Sequence, residues 1–96
     1  MNEPGLNPAV CPVCGFPDLS EVPWVDESPS DEICPSCGAH FGYDDVAGGD
    51  AALRQQIHRR LREEWKVRGC TWFSTERPPP PGWDPSAQLA VVGDGG

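Results

Sequence analysis

The chain has 96 residues, a net charge of −8, and 11 glycines and 12 prolines. That length allows one small domain, and the Gly/Pro content commits much of it to turns and loops. The arithmetic excludes a large enzyme fold, and no run approaches the ~18 apolar residues that a membrane span needs.

Residues 1–8 read as a flexible lead. The stretch Met1 to Ala9 is polar and proline-rich, with neither a basic nor an apolar signal region. This predicts a cytoplasmic, reducing setting without structural disulfides. The odd count of five cysteines points the same way.

Residues 9–47 carry two copies of one unit, Cys11-Pro12-Val13-Cys14-Gly15 and Cys34-Pro35-Ser36-Cys37-Gly38. Two Cys-x-x-Cys pairs at this separation are the spacing of a tetrahedral metal site built from four cysteines. A two-residue gap lets a tight turn aim both sulfurs at one point. Gly15 and Gly38 permit the left-handed conformation that closes such a turn. One Zn²⁺ held by Cys11, Cys14, Cys34 and Cys37 is therefore expected, with iron as the alternative, because a tetrahedron of sulfurs suits both. Four thiolates close the coordination shell, so the expected role is structural and not catalytic. Zinc binding in small zinc peptides supplies ~10–16 kcal/mol of folding free energy. A core this small supplies only ~3–5 kcal/mol. The metal is thus expected to order this region. Gly15, Gly38 and His40, three residues after Cys37, are candidates to surround the sulfurs without binding the ion.

Between the pairs, residues 19–25 predict a short strand and residues 26–31 a solvated loop tip. Residues 40–43 predict a second strand. Asp18, Glu21, Asp26, Glu27, Asp31, Glu32, Asp44 and Asp45 are expected to form an acidic surface.

Residues 48–69 predict an amphipathic helix over about 50–68. Asp50 is a good N-cap and Gly69 sits where a helix-ending glycine belongs. Leu53, Ile57, Leu61 and Trp65 recur every four residues as an apolar stripe. Residues 1–53 contain no Lys or Arg, whereas residues 54–68 hold six of the seven bases. Residues 70–96 form an extended tail, rich in proline and tryptophan. It is expected to pack on the helix or ribbon, with the last few residues disordered. Cys70 reads as a small buried hydrophobe.

The expected architecture is α+β: two metal knuckles on short antiparallel strands, one long helix, and the Pro-rich tail. At Cys11-Pro12-Val13-Cys14-Gly15, Glu32-Ile33-Cys34-Pro35-Ser36-Cys37 and Tyr43-Asp44-Asp45 the chain resembles bacterial zinc-ribbon, rubredoxin-like knuckle proteins. More narrowly it is similar to the cysteine-rich CPCC-type family, although Val13 stands where that family's name motif has a cysteine. The resemblance covers about residues 10–60. It implies zinc binding and no particular activity.

No acid–base pair, phosphate loop or Ser/Cys–His arrangement points to an enzyme. The expected function is a metal-stapled module that binds a protein partner, an immunity- or antitoxin-like protein being one version. Arg54, Arg59, Arg62, Lys66, Trp72 and Trp83 are the candidate partner contacts. A rubredoxin-like electron carrier, with iron held by the four cysteines, is one alternative. Nucleic-acid binding through the basic helix face is another, opposed by the net charge.

Overall fold

The computed structural model describes residues 9–92. The lead over 1–8 and the chain end over 93–96, for which flexibility was expected, lie outside the described residues.

Each Cys-Pro-x-Cys-Gly unit closes on itself in the same way. In the first, Cys11 N–H donates to Phe16 O and Gly15 N–H to Cys11 O, both at 2.9 Å. In the second, Cys34 N–H donates to Ala39 O at 2.9 Å and Gly38 N–H to Cys34 O at 2.8 Å. Gly15 and Gly38 sit at φ +86° and +85°, a conformation that costs L-residues ~1–2 kcal/mol. The two glycines of the repeat thus answer the same backbone demand.

The β content is smaller than the sequence predicts. One hairpin pairs β1 (Trp24–Val25) with β2 (Ser28–Pro29), Val25 opposite Ser28. Its two turn residues are Asp26 and Glu27, and Asp26 takes φ +55°. β2 therefore lies inside the stretch predicted as a loop tip, and the strand predicted over 19–25 shrinks to its last two residues. Pro29 has no N–H to give a further ladder, and Ser30 instead donates to Pro23 O. The strand predicted over 40–43 reduces to an isolated Ile33–His40 bridge. Tyr43 and Asp44 N–H groups both return to His40 O, which turns the chain away.

The helix is α1 (Ala51–Val67), with the Asp50 carboxylate accepting from Leu53 N–H at its start. At its end Gly69 N–H donates to Lys66 O and Cys70 N–H to Trp65 O. This is the Schellman pairing that the glycine anticipates. The buried face is rotated from the predicted stripe. Arg54, His58 and Trp65 are buried, Leu61 and Ile57 are half-buried, and Leu53 is 42% exposed. The cause is polar. Asp45, expected on the acidic surface, is instead 1% exposed. Its carboxylate accepts from Trp24 Nε1 at 2.8 Å and Gly42 N–H at 2.7 Å, and meets His58 Nε2 at 2.7 Å. A buried carboxylate without partners is expensive. His58 therefore has to face inward, and it turns the first half of α1 about one residue off the aliphatic register.

The tail is not wholly extended. A short helix, α2 (Pro85–Ala90), follows the Asp84 N-cap with Pro85 in its first turn. Before it, the Trp72 ring packs edge-on against Phe16 and Trp83, with centroids 5.6 and 5.1 Å apart. Phe73 and Ser74 N–H groups donate to Pro35 O, tying the tail to the second knuckle. The core that results is one cluster of Cys11, Val13, Cys14, Phe16, Leu19, Cys34, Cys37, Ala39, Phe41, Trp65 and Leu89. The four paired cysteines sit within it.

Candidate metal centre

The four sulfurs of Cys11, Cys14, Cys34 and Cys37 lie within 4.8 Å of one another, and all four residues are buried. Cys11 Sγ is 3.8 Å from Cys37 Sγ, and Cys14 Sγ is 3.7 Å from Cys34 Sγ. A tetrahedron with metal–sulfur bonds of about 2.3 Å has edges of about 3.8 Å, so these separations fit a single ion. They are also far beyond a disulfide bond of about 2.05 Å. All five cysteines are free thiols, and Cys70 stands apart from the cluster.

The electrostatics of the bare cluster favour a cation. Burial pushes the Cys11 thiol well up, and its cysteine neighbours push it further. Hydrogen bonds from Cys11, Cys34 and Cys37 pull Cys14 strongly down against its burial. For Cys37 the bond with Cys11 lowers, but Cys14, Cys34 and burial outweigh it and the thiol is pushed up. The protein alone thus stabilises negative charge on Cys14 and resists ionising Cys11 and Cys37. A divalent cation among them removes that resistance, since bound thiols are deprotonated outright.

The surroundings already offer positive ends to that charge. Val13 and Cys14 N–H groups approach Cys11 Sγ at 3.4 and 3.5 Å. Arg62 donates through Nε to Val13 O at 2.7 Å and through a terminal nitrogen to Pro12 O at 2.9 Å. Arg68 reaches Cys37 O at 3.4 Å. α1 therefore lays one cation against each knuckle's backbone. Gln88 in α2 bridges the two units: its amide donates to Cys14 O at 3.2 Å and to the buried Ser36 hydroxyl at 2.9 Å.

Gly15 and Gly38 lie in the knuckle turns as the spacing implies, and both are covered. A Cβ on Gly38 would come within 2.6 Å of the Phe73 ring, and one on Gly15 would strike the Gln88 carbonyl. His40 supplies backbone, through its bridge to Ile33. Its imidazole stacks on Tyr43 at 5.2 Å and stands 3.9 Å from Asp31, with no hydrogen bond to a sulfur.

The candidate partner contacts divide. Arg54 is buried, with its guanidinium 3.8 Å over the Trp24 ring and 3.4 Å from Glu27. Arg62 serves the first knuckle. Trp72 Nε1 donates to Arg77 O and Trp83 Nε1 to Gln88 Oε1, so both indoles are spent inside the tail. Lys66 pairs with Glu63 at 3.1 Å. Arg59 is exposed. The sequence reading missed the Asp45–His58–Trp24 network and the Gln88 bridge. The first had one available signal, a histidine four residues from Arg54 and seven from Trp65 on one face. The second had Asp84-Pro85, a helix start.

Searches against known family models, curated proteins and solved structures each return no match for this chain. The cysteine geometry alone defines the class: a small domain with a possible four-cysteine metal site. Among the described residues, no helix is long and apolar enough to cross a membrane.

Proposed function

We propose that the chain is a structural Zn²⁺ module of the CPCC-type zinc-ribbon kind that acts by binding a protein partner and carries out no catalysis of its own. The observation that carries this reading is the closed sulfur cage. Four buried thiols at tetrahedral spacing leave no coordination position for substrate or water. Zinc in such a site stabilises the fold and presents a rigid surface. The repeated Cys-Pro-x-Cys-Gly turns support the zinc-ribbon resemblance. An immunity- or antitoxin-like role is one form this binding could take.

Elemental analysis and absorption spectroscopy of the purified chain test the metal. One zinc per chain with no visible bands is expected. A red protein with one iron and thiolate charge-transfer bands overturns the zinc assignment in favour of an electron carrier. A metal-free native protein overturns both. Retention of a protein from a native-host lysate tests the binding role, and recovery of nothing above background refutes it.

A further inference from the structure

Two clefts of about 250 and 240 Å³ lie side by side between α1 and the first knuckle. Both are lined by Pro12, Gln55 and His58, so they form one groove. One end is walled by Trp24 and Arg54, the other by Arg59 and Arg62.

Three cations border this groove. The Arg54 guanidinium is held flat over Trp24, and its Nε is buried without a hydrogen-bond partner. Its one carboxylate partner among the described residues, Glu27, is 64% exposed at the rim. Arg62 donates to two carbonyl oxygens and has no carboxylate partner among the described residues. Arg59 is exposed and makes no ion pair among the described residues. Asp45 lies behind the groove, and its charge is shared by His58, Trp24 and Gly42 N–H. This is a local positive site on a chain of net charge −8.

The spacing selects a ligand shape. Along the axis of α1, Arg59 lies ~7.5 Å and Arg62 ~12 Å beyond Arg54, and at ~3.6 residues per turn Arg59 stands ~140° and Arg62 ~80° around the helix from Arg54. The cations therefore do not form one row but flank the groove on both sides. A short peptide that presents carboxylates on more than one side, with an apolar residue against Pro12, Val22 and Pro23, meets them. The net charge of −8 disfavours a polyphosphate strand, whose charge continues past the groove.

We propose that this groove docks a short acidic segment of a protein partner. The proposal rests on the protein-binding reading above and names the chemistry of the partner.

The test is fluorescence anisotropy on the full, metal-loaded chain, with labelled Glu-Val-Glu-Val-Glu, Gln-Val-Gln-Val-Gln and a short oligo-dT as probes. The acidic peptide is expected to bind at least about tenfold more tightly than the glutamine peptide, and to weaken as salt rises. Arg59→Glu, at an exposed position, is expected to weaken it by about tenfold or more with metal content and helicity unchanged. Arg60→Glu is the control. Arg60 points away from the groove, 3.6 Å from Glu64, and this substitution should leave binding unchanged. Equal binding of the two peptides, equal effects of the two substitutions, or tighter binding of the oligonucleotide overturns the proposal. If the wild-type and Arg59→Glu chains both retain the same partner from a host lysate, the groove assignment fails while the protein-binding reading stands. If neither retains any partner, that reading fails as well.

Discussion

Gly15→Ala is the sharpest probe of how the tail holds the cysteine cluster. A methyl group there meets two penalties. The backbone at φ +86° costs an alanine ~1–2 kcal/mol. The new Cβ also falls well inside contact distance of the Gln88 carbonyl oxygen, with Val91 Cβ 3.4 Å away. A backbone oxygen cannot swing aside as a flexible side chain does, so α2 has to lift. Lifting it exposes Leu89, which is 5% exposed, and forfeits ~1.5–3 kcal/mol of burial. It also breaks the two Gln88 amide bonds to Cys14 O and Ser36, at ~0.5–1.5 kcal/mol each. The expected loss is about 3.5–8 kcal/mol, a large share of the stability of any small domain. Gly48→Ala is the matched control, with φ +59° and nothing within 4 Å of its Cβ. It is expected to cost only ~1–2 kcal/mol. Denaturant unfolding of the metal-loaded chains measures both. Hydrogen exchange over residues 85–92 should show α2 opening in the Gly15 variant alone. If the two variants lose the same stability, α2 does not cover the first knuckle and the packing described above is wrong.

Asp45→Asn should cost roughly 1.5–3 kcal/mol in chemical denaturation, because an amide nitrogen in place of one carboxylate oxygen leaves at least one of Trp24 Nε1, His58 Nε2 and Gly42 N–H without its acceptor. The pH dependence has a definite sign. Burial raises the Asp45 carboxyl, but bonds from His58, Trp24 and Gly42 N–H outweigh it and hold the group below its ordinary range. The unfolded chain therefore binds the proton more readily. The stability that Asp45 confers is complete above the ordinary carboxylate value of ~3.9 and disappears as pH falls through the lower folded value. The gap between wild type and Asp45→Asn should narrow as pH falls below about 4, whereas a gap that widens over that range refutes the assignment. Serine at any one of Cys11, Cys14, Cys34 or Cys37 should reduce bound metal below one equivalent, while Cys70→Ser should retain it in full, as elemental analysis will show. Stripping the metal with a strong chelator should collapse the helical circular dichroism of α1. A chain that keeps its helix after complete metal loss would show that the apolar core suffices alone.

The sequence made the cysteine cluster legible because its geometry is local. A Cys-x-x-Cys-Gly turn is specified within five residues, and two copies converge on one point wherever the loop between them runs. The bounds of α1 were legible for the same reason, since Asp50 and Gly69 act on their own helix ends. What escaped was decided by distant partners. The rotation of α1 depends on Asp45, which looks like any surface acid until His58 and Trp24 meet it. The hairpin at Asp26–Glu27 was hidden by polarity, because its residues face water on both sides. α2 was written in Asp84-Pro85, but the preceding run of prolines masked it. The basic face of α1 read as one surface. Arg54 and Arg62 instead turn inward to the ribbon, while Arg60 faces Glu64.

Gln88 stands 74 residues from Cys14 and 52 from Ser36, and its amide ties both knuckles. Parting the two turns therefore means breaking a contact that α2 supplies. An ion held among the four sulfurs would leave at the pace at which α2 lifts, so a segment remote in sequence from every ligand would set the lifetime of the bound state.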